Sequence, residues 1–330
     1  MPKCLSGLSC IDIREDYLSY ISPEVLETLL RDHTTGRNIF WATHDYEELG
    51  IMYNYHSEII PELITGNNGM VIRPRVLKSI ENQTNRIKGM AEVFTPSWVC
   101  NAQNNLIDEA WFGYKNVFNI EDKTRHTWKA TTDKIIFPKG KSWKDYVRAT
   151  RMEIACGEAP YLVSRYDTTT GKSIPIEQRI GLLDRKLRVV SENTDKAGEW
   201  LDWAQVAYKN TYAYEWQGDN LLLAREALLW TFIEYYQAKF QKAPLVRSIK
   251  YIAYIVSWNL WQMDGLKGVV PNSCKNNVTQ KEITLFGENE KIIYCKGCKN
   301  NDFGKHNGIY CLVQDWANRK RIRFIDLIKQ

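Results

Sequence analysis

Met152-Glu153-Ile154-Ala155-Cys156-Gly157-Glu158-Ala159-Pro160-Tyr161-Leu162 runs from a short apolar segment into a glycine and a turn of small residues. A run of that length, stopped by turn formers, reads as a buried strand, and the segments C-terminal to it decide the kind of sheet. In Glu177 to Glu192, the residues Ile180, Leu183, Leu187 and Val190 recur at three and four positions and make one helical stripe. Arg179, Arg185, Lys186 and Arg188 fall mostly off that stripe, which predicts a helix with a basic outer surface. Thr211 to Trp216 reads as a second strand and Asp219 to Phe240 as a long helix. Val246, Ile249, Ile252 and Val256 mark the inward face of another helix, leading to a third strand at Trp258 to Gln262. Strand, helix, strand, helix, strand is the pattern of an α/β fold with a parallel sheet and crossover helices.

On the N-terminal side, residues 1 to about 85 read as a helical region. Ser22-Pro23-Glu24-Val25 supplies a capping residue and a proline at the first helical position, opening a run to Leu30. His33, His44 and His56 are spaced too irregularly for one helical face, so they read as satisfied or exposed side chains rather than metal ligands. The aromatic stretch Asn38 to Thr43 reads as core packing. Beyond Pro271 the period becomes two. Lys281 to Phe286, then Gly287-Glu288-Asn289-Glu290, then Lys291 to Tyr294 predict a hairpin turning at Gly287 to Glu290. Gly308 to Val313 and Lys320 to Ile325 are two more strands around Trp316 to Arg319. The chain therefore divides into 1–85, a helical N-terminal region; 86–270, the α/β core; and 271–330, a small antiparallel β appendage.

The 330 residues with 44% hydrophobic content suffice for a full core with smaller attachments. No window has the eighteen or more apolar residues of a membrane span, and Met1 to Cys10 lacks a charged segment followed by an apolar run, which together point to a cytoplasmic protein away from membranes. A net charge of +5 permits contact with nucleic acid without requiring it. The 12 Trp and 18 Tyr supply flat rings for packing or for stacking on a base.

Eight cysteines without an export signal argue against a disulfide framework. Cys4, Cys10, Cys100 and Cys156 are scattered, whereas Cys295, Cys298, His306 and Cys311 follow a Cys-x2-Cys, x7, His, x4, Cys spacing. Thiolates and an imidazole so spaced suit a closed tetrahedral zinc of the structural kind, with Cys274 as an alternative to His306. The competing reading is reduced cysteines in a small core. Lys296, Lys299, Lys305, Arg319, Lys320, Arg321 and Arg323 nearby are either phosphate contacts or a solvated basic rim.

A nucleotide-like ligand on a parallel sheet sits at the carboxyl ends of the strands, between a first turn open to close approach and an acid ending the next strand. Gly157 after the first strand and Glu215 after the second offer both. Three motifs in order, Ala91 to Val99 with Phe94-Thr95-Pro96, Glu153 to Leu162, and Tyr214-Glu215-Trp216, resemble those of amino-group DNA methyltransferases. Asn259 to Leu266, with Asp264, resembles a fourth element of that family, and the stretch from about Asn38 onward is similar to proteins described as restriction endonuclease subunit M. The resemblance implies a Rossmann-like S-adenosylmethionine-dependent methyltransferase sheet. It implies that Phe94, Thr95 and Pro96 pack on the methionine end of the cofactor. Glu153, Ala155, Cys156 and Gly157 then form the loop around it, Glu215 and Trp216 meet the ribose and its surroundings, and Asp264 accepts the adenine amino group. It further implies adenine-N6 methylation of DNA in a restriction-modification system, with a second methylation, specificity or endonuclease subunit as partner.

The chain also departs from the family. Glu153 replaces Asp, Ile154 replaces Pro, and Ala159 stands where the second loop glycine belongs. Gly157 and Glu215 are far more than the expected roughly 20 residues apart, which calls for a looped-out insertion. No Pro-Pro, Asn-Pro or Asp-Pro dipeptide occurs, so the Asn-Pro-Pro-Tyr-type tetrapeptide that holds the flipped base is absent and no catalytic residue is assigned. Phosphate-loop and zinc-protease patterns are absent as well. Two readings remain: a methylation subunit whose tetrapeptide comes from a partner or a downstream segment, or a catalytically inactive cofactor-binding or DNA-binding relative that acts as a scaffold or regulator.

Overall fold

A computed structural model describes residues 12–90, 95–284 and 287–328. Cys4, Cys10 and Phe94 lie outside the described residues. The chain begins with α1 (Glu15–Ile21) and α2 (Pro23–Leu30), separated by Ser22, whose extended backbone at φ −171° and ψ 132° breaks the helix and sets Pro23 at its restart. Val25, Leu26, Leu29 and Leu30 are wholly buried, as expected of that amphipathic run. The helical expectation for the rest of this region fails over residues 31–79. There the chain winds through short 3-10 turns, broken by Pro61, Pro74 and by Gly50 at φ 127°, a conformation that side chains rarely adopt. It nevertheless carries Trp41 into the core, where the ring is fully buried.

Helices α3 (Ile80–Met90) and α4 (Ser97–Phe112) lead to an antiparallel hairpin of β1 (Asn119–Asp122) and β2 (Thr127–Ala130), which periodicity did not reveal. After α5 (Trp143–Arg148) comes the central sheet. Strands β3 (Arg151–Ile154), β4 (Thr211–Glu215) and β5 (Leu260–Gln262) lie side by side in that order, all parallel, with Arg151 opposite Thr211 and Ala213 opposite Leu260. The connection from β3 to β4 carries α6 (Leu182–Asn193) and α7 (Ala197–Lys209), and that from β4 to β5 carries α8 (Gly218–Phe240) and α9 (Val246–Asn259). The long interval between Gly157 and Glu215 is thus a crossover with two helices and an irregular lead-in. The described chain is mixed α/β with small sheets, and none of its helices is long and apolar enough to cross a membrane.

The basic helix surface expected from residues 177–192 is not there. The helix starts at Leu182, after a 3-10 turn at Ile176–Gln178, and its cations point inward. Arg185 is 1% exposed and Lys186 fully buried. Arg185 donates from Nη1 to Oδ2 of Asp108 at 2.6 Å and from Nη2 to the side-chain oxygens of Asn101 and Asn105 at 2.9 and 2.7 Å. Lys186 donates to the Asn210 carbonyl at 2.8 Å, Arg188 to Glu192 and the Thr131 carbonyl at 2.7 Å each, and Arg179 pairs with Glu234 at 2.7 Å. Arg185 and Arg179 each meet a carboxylate from another element, the condition under which burial of charge is tolerated, whereas Lys186 meets only uncharged oxygens and burial holds its pKa well below the usual lysine value.

At the C-terminal end, β6 (Asn277–Thr284) and β7 (Gly287–Tyr294) form a hairpin with Asn277 opposite Tyr294 and Thr284 opposite Gly287. Gly287 to Glu290 therefore belong to a strand and not to the turn, because the ladder runs unbroken along both strands. Helix α10 (Lys296–Asn300) comes next, then β8 (Leu312–Asp315) paired with β9 (Lys320–Arg323) across the turn at 316–319, and α11 (Phe324–Ile328).

Candidate functional site

A cleft of about 1060 Å³ opens where β3 and β4 end. Thr95, Glu153, Ala155, Cys156, Gly157, Glu215 and Trp216 all line it, so residues drawn from three separate motifs converge on one space. The loop after β3 gets its shape from three left-handed residues, Ala155 at φ 47°, Gly157 at φ 53° and Ala159 at φ 59°. Ala159, in place of a glycine, still takes the conformation at a cost of about 1 kcal/mol or more.

Two buried carboxylates hold this loop. Glu153 accepts the backbone N–H of Tyr161 at 3.3 Å on one oxygen and that of Leu162 at 3.1 Å on the other, closing the loop on its own base. Glu215 accepts Gly157 N–H at 2.8 Å on Oε2, and Trp216 and Gln217 N–H at 2.8 and 3.1 Å on Oε1. Burial raises both acids above the usual carboxylate range, Glu153 strongly, against the opposing pull of these N–H donors. A carboxylate offers about four lone-pair sites, so Glu215 keeps roughly one for a ligand hydroxyl. Burial, with Glu215 and Glu153 close by, pushes the Cys156 thiol far up, which makes it an inert wall rather than a nucleophile.

Two of the expected cofactor contacts stand apart. Pro96 is the residue before α4, next to the lining Thr95. Asp264 does not line the cleft; it accepts Leu266 N–H at 3.0 Å within its own turn and lies 3.4 Å from the Lys267 ammonium. That turn comes after β5, one strand beyond the cleft.

Sequence reasoning missed Asn104, Tyr55, His44 and Gln217, which also line the space. Asn104 is fully buried and donates from Nδ2 to the carbonyls of Tyr161 and Ile180 at 3.0 Å, while its Oδ1 has no partner. That amide oxygen is buried without a partner, in a residue whose side chain borders the cleft. Tyr55 accepts the Trp216 indole N–H at 2.8 Å, fixing that ring at the rim. Behind the cleft, Asp219 at the start of α8 accepts Arg86 of α3 at 2.9 Å, Lys78 at 3.1 Å and Tyr46 at 2.8 Å, which docks α3 with its cleft-lining Lys88. Nothing local in the sequence pairs residues so distant.

A second constellation lies in the appendage. Cys274, Cys295, Cys298 and His306 bring their ligand atoms within 4.8 Å of one another, a Cys3His set that could hold a metal such as zinc. Cys311, expected as the fourth ligand, is not part of it. Its thiol is buried 3.4 Å from the Gln262 carbonyl among Trp261, Met263 and Val313. Cys274 takes the place expected of Cys311, and His306 remains. The hairpin between Cys274 and Cys295 folds back on itself, so closeness in space does not track closeness in sequence. Of the surrounding cations, Lys305 pairs with Asp302 at 2.7 Å and Arg323 with Asp326 at 2.9 Å, while Lys296, Lys299, Arg319, Lys320 and Arg321 are exposed.

Comparison with protein-family models, with curated proteins and with solved structures finds no match for this chain.

Proposed function

We propose that the chain is an S-adenosylmethionine-binding component of adenine-N6 DNA methylation, built on a Rossmann-like sheet. The observation that carries this reading is the convergence of Thr95, the Glu153 to Gly157 loop and the Glu215–Trp216 strand end on one cleft at the carboxyl ends of parallel strands. The residues suit such a ligand. Glu215 retains an acceptor position for a ribose hydroxyl, and Trp216 presents a ring for an adenine. When bound, the cofactor would supply an electrophilic methyl group. The chain's own residues bind it, orient it and screen it from water.

Adenine as acceptor and DNA as partner rest on the motif resemblance, supported by the +5 charge and the exposed Lys296, Lys299, Arg319, Lys320 and Arg321. The missing Pro-Pro tetrapeptide favours a division of labour in which another polypeptide or segment of a restriction-modification system holds the target base. It equally gives weight to a second reading, a cofactor-binding module that regulates without catalysing. Transfer of tritiated methyl from S-adenosylmethionine to adenine-containing duplex DNA separates them. The first reading expects label on DNA only when a chain with the tetrapeptide is added, and the second expects none in either case.

A further inference from the structure

We propose that Cys274, Cys295, Cys298 and His306 bind one Zn2+ through three thiolate sulfurs and Nδ1, and that this ion clamps the two feet of the β6–β7 hairpin together. The distances carry the first part. A tetrahedral zinc with Zn–S of about 2.3 Å and Zn–N of about 2.05 Å sets its sulfurs about 3.8 Å apart and sulfur to nitrogen about 3.6 Å apart. Cys274 Sγ lies 3.6 Å from both Cys295 Sγ and Cys298 Sγ, and Nδ1 of His306 lies 3.5, 3.8 and 3.6 Å from the three sulfurs. Disulfide geometry would need one pair drawn to about 2 Å, leaving the others behind.

The surroundings are shaped for the ligands. Gly297, within the Cys-x2-Cys turn, lies so close to His306 that an added Cβ would sit 2.6 Å from its backbone nitrogen and 2.7 Å from Nδ1. Only glycine lets the imidazole approach. The Tyr310 hydroxyl accepts His306 N–H at 2.7 Å, and the Asn307 amide brackets the Lys275 backbone, accepting its N–H at 3.0 Å and donating to its carbonyl at 2.9 Å. Asn307 N–H also points at Cys295 Sγ at 3.4 Å. Such outer contacts fix ligand orientation in metal sites.

The second part rests on topology. Cys274 precedes β6, Cys295 comes directly after β7, and Cys298 and His306 lie on α10 and the loop after it. An ion bound by all four joins both hairpin feet to that loop. The two strands pack chiefly on each other, and Val278, Ile292, Ile293 and Tyr294 stand exposed at 45 to 58%. Among the described residues, the buried part of the local apolar cluster is Val269, Cys274 and Cys295. A lone hairpin over so small a core is marginal without a staple.

The test uses the full chain, loaded with equimolar Zn2+ and desalted. Elemental analysis should give one zinc per chain in wild type and in Cys311→Ala, and well under half in Cys274→Ala. Replacement by Co2+ should give the intense visible bands of a tetrahedral thiolate site. Chelation should speed amide exchange across residues 277–294 while leaving β3, β4 and β5 protected. Should Cys274→Ala fail to fold, wild type and Cys311→Ala still decide the ligand set. Wild type without zinc, iron in its place, loss of zinc on Cys311→Ala, or hairpin exchange indifferent to chelation would each overturn the proposal.

Discussion

The backbone N–H of Gly157 donates to Oε2 of Glu215 at 2.8 Å and so joins the turn after β3 to the end of β4, 58 residues apart. One carboxylate therefore serves three backbone donors from two strand ends. Glu215→Ala leaves these N–H groups with water alone, at a cost of about 1 to 3 kcal/mol. Glu215→Gln keeps one acceptor oxygen and should cost less. Urea unfolding of both variants checks the order, and equal stability of the alanine variant and wild type would refute the bracing role.

Asp108 anchors the buried Arg185 guanidinium, accepting it on Oδ2 at 2.6 Å, and also accepts the Tyr146 hydroxyl at 2.9 Å. Asp108→Ala strands a cation inside the protein, so a loss of about 3 to 5 kcal/mol is expected. Were α6 a helix with an exposed basic face, the same change would alter stability by less than about 0.5 kcal/mol. Thermal unfolding distinguishes the two.

His33 stacks on Trp258 at 3.9 Å between ring centroids and shares a 2.8 Å hydrogen bond with Ser257. Burial, then the positive charges of Arg225, Arg321 and Arg31, lowers its pKa from 6.5 to about 3. Between these values the unfolded chain binds a proton there that the folded chain does not. Stability from this group is complete above pH 6.5 and declines as pH falls through the window, by up to about 1.4 kcal/mol per unit. The difference in stability between wild type and His33→Gln, tracked from pH 7 to pH 4, should shrink or reverse by that slope. A difference independent of pH would contradict it.

Gly297→Ala places a methyl group 2.7 Å from His306 Nδ1 and should displace that ligand. Zinc affinity is expected to fall at least tenfold with β3, β4 and β5 intact, as read by competition with a chromogenic chelator and by amide exchange. Affinity equal to wild type would show that the crowding is relieved elsewhere.

The strands at 211–215 and 260–262 and the helices at 218–240 and 246–259 were legible because apolar periodicity is a local signal and each element buries one face or all of itself, whereas the strand at 151–154, expected to be buried, exposes Met152 and Ile154 and buries Glu153. Nor was the orientation of α6 legible. Arg185 and Lys186 look solvent-facing on a helical projection, and only the arrival of Asp108, Asn101 and Asn210 from other elements makes their burial possible. The same limit applies to the metal ligands. Spacing selected Cys295, Cys298 and His306, but the hairpin delivers Cys274 instead of Cys311. In the cleft, Gly157 and Glu215 could be found from strand ends, whereas Tyr55 comes from a segment with no motif and Asn104 from α4, past the end of the Ala91 to Val99 motif. Asp264 had the residue type and order, but it lies in the turn after β5 and does not line the cleft.

Isothermal titration of S-adenosylmethionine into the purified chain tests the central claim most directly. One site per chain is expected for wild type. Affinity should fall at least tenfold in Asn104→Ala and in Glu215→Gln, both checked for folding by circular dichroism. Absence of saturable heat with well-folded wild type, or unchanged affinity in both variants, would contradict the assignment of this cleft to the cofactor.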